Sequence, residues 1–270
     1  MKPALSTRAQ SRASGSFVRT SPGSHSLERG LDLLRAFRLG SAVLTNADLA
    51  TRCGLPRSTV SRLTRSLVDA GFLSYDHGEQ GYRLSVVCLS LGLSYRTSQA
   101  ALDAALPLMR KLAEGRRINV GLAVLDQTDM VYLDSVRLGR SSLFRRLVPG
   151  SRIPAAITAL GRAYMFSMPA NERQAVLRKI ALEQGSHWPR IQKEISASFK
   201  ELRQLGYCWA EWQEGVVAIA TSVKEPNGQR YALNVSSQIP NGPMGPFIEN
   251  HGELLRGLTA AIEERWQMLG

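Results

Sequence analysis

Among side chains able to bind a metal or attack a substrate, spacing decides which of them act together. The three cysteines, Cys53, Cys88 and Cys208, and the four histidines, His25, His77, His187 and His251, are scattered over 270 residues with no CxxC pair and no zinc-ligand spacing. They read as incidental groups in a reducing compartment, and neither a metal nor a cofactor is expected. The chain has no GxSxG elbow, Walker loop, GxGxxG or HExxH, and Ser198-Phe199-Lys200 lacks SxxK spacing. His187 beside Trp188 and the Glu263-Glu264 pair read as packing or solvated groups, so no catalytic residue is expected.

The chemistry that the sequence does offer lies between residues 56 and 70. On a helix, Val60, Leu63, Leu67 and Ala70 share one face, and Ser58, Ser61, Arg62 and Arg65 share the other. A solvated charged face is the ordinary reading of such a helix. This one, however, has no carboxylate until Asp69 and combines hydroxyls with guanidinium forks. Arginine reads guanine O6 and N7 bidentately, and serine meets bases or phosphates. Arg57 near the helix start suits the phosphate backbone. Thr59 and, further on, Arg83 complete the candidate DNA-contacting set.

The charge distribution agrees. Lys and Arg number 34 against 22 Asp and Glu, a net +12, which suits a polyanionic partner. Residues 1–85 hold 12 basic and 6 acidic side chains and residues 86–270 hold 22 and 16, so each part is +6 and the shorter one is denser. Residues 1–24 carry four basic side chains, six serines and no acid, and read as a disordered basic arm. No apolar run approaches the roughly 20 residues of a membrane span, and no signal-type apolar block follows the N-terminus. A cytoplasmic protein without membrane contact is expected.

The elements that must position these residues follow from caps and periodicity. Ser26 is read as an N-cap, with Leu27, Gly30, Leu31, Leu34 and Phe37 in helical period and Gly40 closing the helix. Thr45 and Asp48 form a near capping box for a short helix ending at Gly54, and Pro56 restarts the chain as the first residue of a third helix that stops at Gly71. Two helices joined by a tight turn after a preceding helix outline a helix-turn-helix. Residues 72–75 and 81–85, around a polar turn, predict the hairpin of a wing. A helix over 86–100 follows, then one over 102–114 in which Pro107 marks a possible boundary. Beyond it, strands are expected at 118–125, 130–136, 216–223 and 229–236, with helices at 158–167, 172–181, 190–205 and 250–266. Such paired strands among helices indicate an α+β domain with an antiparallel sheet.

Residues 26–34 (SLERGLDLL), 49–63 (LATRCGLPRSTVSRL) and 71–73 (GFL) resemble the DNA-binding domain of the IclR family of bacterial transcription regulators. The second half resembles the same family through 149–154 (PGSRIP), 158–163 (TALGRA), 205–207 (LGY) and 211–220 (EWQEGVVAIA). The likeness covers residues 25 to 265 in order. It implies a winged helix-turn-helix over 25–86, a linker helix over 87–101, and a GAF-like effector-binding domain over 102–270. It also implies a homodimer or a dimer of dimers on an operator in double-stranded DNA, acting as repressor or activator.

The loop at Gly150, Ser151, Arg152, Ile153 and Pro154 precedes a helix, and its glycine and nearby N–H groups suit a carboxylate. By resemblance, the effector pocket draws on Gly150, Ser151, Val216, Ala218, Asn234 and Ser236, and holds a small carboxylate or aromatic effector. Ala218 stands where some relatives carry cysteine, Asn234 where some carry serine, and Arg162 where lysine is frequent. The alternative of a purely architectural DNA binder leaves the second domain without a role.

Overall fold

The computed structural model describes residues 23–137, 147–238 and 244–268, so nearly all of the expected basic arm lies outside the described residues. The chain divides into two compact units between Leu91 and Gly92, inside the stretch expected to be a linker helix.

The first unit opens with α1 (His25–Arg35), capped by Ser24, whose hydroxyl accepts from the Leu27 N–H. That cap lies two residues before the expected Ser26, because a serine there already satisfies an orphan donor of the first turn. The helix also stops at Arg35 rather than Gly40, which turns the chain afterwards at φ +88°. Of the expected run, Gly30 is buried and Leu34 and Phe37 are half-buried, while Leu27 and Leu31 face solvent and Leu33 and Ala36 enter the core instead. Packing against the next two helices, not periodicity alone, chose the face. Helix α2 (Asn46–Cys53) has the full capping box: Asp48 N–H donates to the Thr45 hydroxyl, and Asp48 accepts from the Thr45 N–H. Gly54 ends it at φ +64°. Helix α3 (Arg57–Asp69) follows, with Pro56 as its N-cap, so it begins one residue later than expected. Strands β1 (Leu73–Asp76) and β2 (Gly81–Leu84) pair antiparallel as the wing. Leu33, Leu44, Leu49, Val60 and Leu63 form the core of this unit, whereas Ala70 caps α3 and is exposed rather than buried. Helix α4 (Val86–Thr97) carries the chain across the unit boundary.

The second unit comprises α5 (Ala100–Arg116), β3 (Asn119–Asp126), β4 (Asp129–Val136), β5 (Arg152–Pro154), α6 (Ala159–Ser167), α7 (Ala170–Gln184), α8 (Trp188–Leu205), β6 (Cys208–Gln213), β7 (Val216–Lys224), β8 (Arg230–Gln238) and α9 (Met244–Gln267). Pro107 lies inside α5 and does not end it. Its ring is on the exposed side, where the carbonyl left without a donor reaches water. The strands form one antiparallel sheet in the order β5-β4-β3-β8-β7-β6. The sequence reading missed both edge strands. Strand β5 has three residues and ends in proline, which reads as loop; in β6 two tryptophans blur the alternation.

The period of two sorts the sheet's faces. Val120, Leu122, Ile219, Tyr231, Leu233 and Val235 point to one side, against α5 and α9. Ala123, Ala218, Ala220 and Ala232 point to the other, against α6. Small side chains on that face let α6 come close. Closeness is enforced at Gly161, where a Cβ would lie 2.2 Å from the Ala155 backbone. Toward its end the same face of β8 carries Asn234 and Ser236, and the site begins there.

Candidate DNA-reading face and ligand cavity

On α3, Arg57, Ser58, Ser61, Arg62 and Arg65 are exposed and Thr59 is half-buried. None of these three arginines makes an ion pair among the described residues. Arg52 of α2, by contrast, is engaged by the Ala36 carbonyl and Ser41. Thr64, which the sequence reading passed over, is buried. Its hydroxyl bonds the Val60 and Ser61 carbonyls and approaches Asn46 Oδ1 at 3.4 Å, tying α3 to α2. Arg83 sits on β2 with its Nε on Asp76 Oδ2 at 2.6 Å. The Glu79 N–H, then Arg83, hold the Asp76 carboxyl below the usual carboxylate range, so the turn stays braced at neutral pH. The helix thus presents a free cationic face, and the wing presents a tethered arginine.

In the second unit, Val216, Ala218, Asn234 and Ser236 line one cavity together with Tyr132, Arg137, Trp212 and the first turn of α6 (Thr158, Ala159, Leu160). It encloses about 20 Å³, room for a single water. Two β-bulges aim its aromatic walls. Between β3 and β4 the register shifts at Leu122/Ala123, leaving Leu133 as the extra residue beside Tyr132; between β6 and β7, Trp212 is itself the extra residue. Gly121, paired with Asn234, leaves space over the strand: a Cβ there would lie 2.4 Å from the Tyr132 ring and 2.7 Å from Asn234 Oδ1.

The electrostatics of this cavity have one sign. Among the described residues no carboxylate lines it. Arg137 donates through Nε to Ser135 Oγ and the Leu147 carbonyl, and has no acidic partner among the described residues. Desolvation lowers its pKa, Tyr132 nearby opposing that shift. Burial pushes the Tyr132 phenol up to about 12, while Arg137 and the Asn234 side chain against its hydroxyl oppose the rise. Tyr132 therefore stays neutral and keeps its proton to donate. Asn234 is 3% exposed and its Oδ1 has no hydrogen-bond partner. A positive, partly desolvated pocket that also contains the positive end of a helix suits an anion.

Gly150 and Ser151 do not line this cavity. The Gly150 N–H is donated to the Tyr132 carbonyl at 2.8 Å, the Tyr132 N–H to the Ser151 carbonyl at 3.0 Å, and Ser151 Oγ accepts from the Val148 N–H. The loop clamps Tyr132 from behind, and φ +84° at Gly150 makes that turn. Sequence reasoning did not single out Tyr132, Arg137 or Trp212, although Trp212 lies within the quoted 211–220 segment. Arg162, where lysine is frequent in relatives, is buried and donates to the Ala156 carbonyl, Ser198 and Glu194 away from the cavity. Burial raises the pKa of all three cysteine thiols, which argues against a reactive nucleophile. Among the described residues no group of three or more His, Cys, Asp or Glu side chains converges as a metal site, and no helix is long and apolar enough to cross a membrane.

A helix-turn-helix with a wing, joined to an α+β domain with an anion-suited cavity, defines a two-part transcription regulator. Comparison with known proteins gives its family. Residues 26–77 match the IclR helix-turn-helix domain and residues 94–241 the bacterial transcriptional regulator IclR C-terminal domain. The chain is 30% identical over 244 residues to the HTH-type transcriptional regulator TsaQ1/TsaQ2 of Comamonas testosteroni, covering 88% of this chain and 87% of that one. It superposes on an IclR family transcriptional regulator from Brucella abortus with TM-score 0.81 and 30% identity, covering 93% and 96% of the two chains. An IclR homolog from Microbacterium hydrocarbonoxydans, solved in complex with 4-hydroxybenzoate, shares the fold at TM-score 0.66 and 21% identity over 90% and 99% of the chains. The protein belongs to the IclR family of bacterial transcriptional regulators.

Proposed function

We propose that this regulator binds its operator as a dimer and that a small organic anion in the cavity sets the strength of that binding. The observation that carries the DNA half is the exposed α3 face, where Arg57, Arg62 and Arg65 have no carboxylate partner. The regulatory half rests on the cavity. At about 20 Å³ it admits an organic acid only after rearrangement, so an acid binds the rearranged form selectively. Differential affinity for two forms is what a switch requires. The dimer is supported by α4, where Val86, Leu89 and Leu93 share a helical face at 79%, 62% and 54% exposure, and by the exposed Leu27 and Leu31 of α1. Two copies would place two recognition helices in successive major grooves, with a dimer of dimers as the next level of assembly.

The test is selection of bound sequences from a random duplex pool by the full-length protein, followed by titration with small carboxylates and aromatic acids, 4-hydroxybenzoate among the first. A consensus site is expected, with an affinity that at least one acid changes. Each binding acid should also raise the thermal midpoint, since a ligand at 100 times its Kd adds about 2.7 kcal/mol. Absence of any consensus would defeat the DNA reading. A consensus site indifferent to every acid would favour an architectural DNA binder.

A further inference from the structure

One side chain stands between the enclosed cavity and the protein surface. The cavity holds about 20 Å³, whereas sites that enclose organic ligands usually run to about 300–1,000 Å³. Beside it lies an open basin of about 520 Å³ between α8, the edge strand β6 and the start of α9, with Arg190, Glu194, Trp209 and Met244 on its walls. Of the described residues, Trp212 alone lines both spaces. Other walls of the cavity are fixed. Val216, Ala218, Asn234 and Ser236 sit in the β7–β8 ladder, and Thr158 is held by the Pro154 carbonyl and the Gly161 N–H. Tyr132 is clamped from behind by the Gly150 loop. Trp212 has no such tie. It is the unpaired extra residue of a bulge on the outermost strand, and its indole makes no hydrogen bond or ring contact among the described residues. By contrast, the Trp209 indole donates to Glu201, and the Trp266 indole to the Ala101 carbonyl.

We propose that Trp212 is the door of the cavity: its indole turns outward into the basin, joins the two spaces, and gives a ligand both its way in and the room that the closed cavity lacks. This rests on the reading of the cavity as the ligand site. A bulged residue turns without breaking a ladder hydrogen bond, because the bulge has already left it unpaired. Turned outward, the indole meets Ile157 and Met244 in the basin, so part of its apolar surface stays covered. Turned inward, it shuts water out of the cavity and strengthens the field of Arg137 there. The two positions of Trp212 are then the two forms between which a ligand selects.

The test uses no acid, so its failure and that of the acid switch are distinguishable. Ala218→Cys places a thiol on the cavity wall of the full-length protein, and mass spectrometry of its peptides follows modification by methyl methanethiosulfonate. Cys208, fully buried against the Ala159 carbonyl, reports global unfolding in the same sample. An open form populated at about 0.1–10% limits access, so adding Trp212→Ala should speed modification at position 218 at least about tenfold and leave Cys208 unchanged. Trp212→Phe should fall between the two. Trp209→Phe, which alters the basin and not the cavity, should change nothing. No acceleration by Trp212→Ala overturns the door. Equal acceleration by Trp209→Phe, or at Cys208, also overturns it, by assigning access to loosening of β6 or of the whole fold. If Ala218→Cys fails to fold, fluorine NMR of the wild-type sequence carrying 5-fluorotryptophan decides. The Trp212 signal, assigned through Trp212→Phe, should then show microsecond-to-millisecond relaxation dispersion that Trp266 lacks, and its absence overturns the proposal. Acceleration at position 218 in a protein that binds no acid would keep the door and reject the acid as its user.

Discussion

Arg62 and Arg65 are the side chains whose removal separates base reading from simple charge. Both are exposed on the outer face of α3, and neither is neutralised by a carboxylate among the described residues. Arg62→Ala or Arg65→Ala should weaken the selected site by about 1–3 kcal/mol more than random duplex if the side chain meets a base edge. Anisotropy titrations of both DNAs check this; equal losses would assign that arginine to phosphate, and no loss on either would reject the face. This face was legible because helical periodicity alone separates Val60, Leu63 and Leu67 from Arg62 and Arg65. The cavity was legible only in part. Asn234 and Ser236 lie two apart on one strand and share a side by the period of two. Tyr132 and Trp212 reach the same place through bulges, which shift the register at single residues and leave no spacing to read. Gly150 and Ser151, singled out as ligand contacts, instead use their backbones to hold Tyr132.

Helix α2 rests on a reciprocal cap, and the cap has a pH signature. The Thr45 hydroxyl and then its N–H hold the Asp48 carboxyl below its ordinary value. A carboxylate depressed in the folded state stabilises it above the unfolded pKa, near 3.9, and loses that contribution as the pH falls through the folded value. Thr45→Ala should cost about 1 kcal/mol near neutrality. The gap in thermal midpoint between wild type and variant should narrow below about pH 4. It should not close, because the hydroxyl also accepts from the Asp48 N–H whatever the carboxyl's charge. A gap constant from pH 7 to 3 would show the carboxylate uncoupled from the cap. Cap and turn chemistry of this kind made α2, α3 and the wing readable. Helix α1 was expected, but its ends lie elsewhere and its face was only partly legible, since the exposed Leu27 and Leu31 are as apolar as the Leu33 that the core took. Helix α4 buries no residue. Leu89→Asp should therefore leave the thermal unfolding of the protein nearly unchanged while raising its dimer dissociation constant in sedimentation equilibrium, and an unaltered association state would remove α4 from the interface.

At the scale of the whole chain, the question is where the ligand-binding part begins. A start at residue 102 follows from the helical period, which places Leu102, Leu106, Met109 and Leu112 in one run. The structure shows what such a cut removes. The Trp266 indole, 2% exposed and tilted at 48° against the Tyr231 ring 5.2 Å away, donates its N–H to the Ala101 carbonyl at 2.7 Å, closing α9 onto α5. Arg96 also pairs with Asp103 and Asp134, joining the end of α4 to α5 and β4. A fragment from residue 102 would leave a buried N–H without an acceptor and lose the first two residues of α5, costing about 1–3 kcal/mol for the orphaned donor alone. A fragment from Gly92, the first residue of the compact unit, keeps both contacts. Urea unfolding should therefore show the longer fragment more stable by at least that amount, with a single transition. It should also bind the same acids as the full-length protein, with affinities that match when DNA is absent. Equal stabilities for the two fragments would mean that the Trp266 closure contributes nothing. A Gly92 fragment that folds yet binds no acid recognised by the full-length protein would place the ligand outside the β8 cavity, beyond what this unit holds by itself.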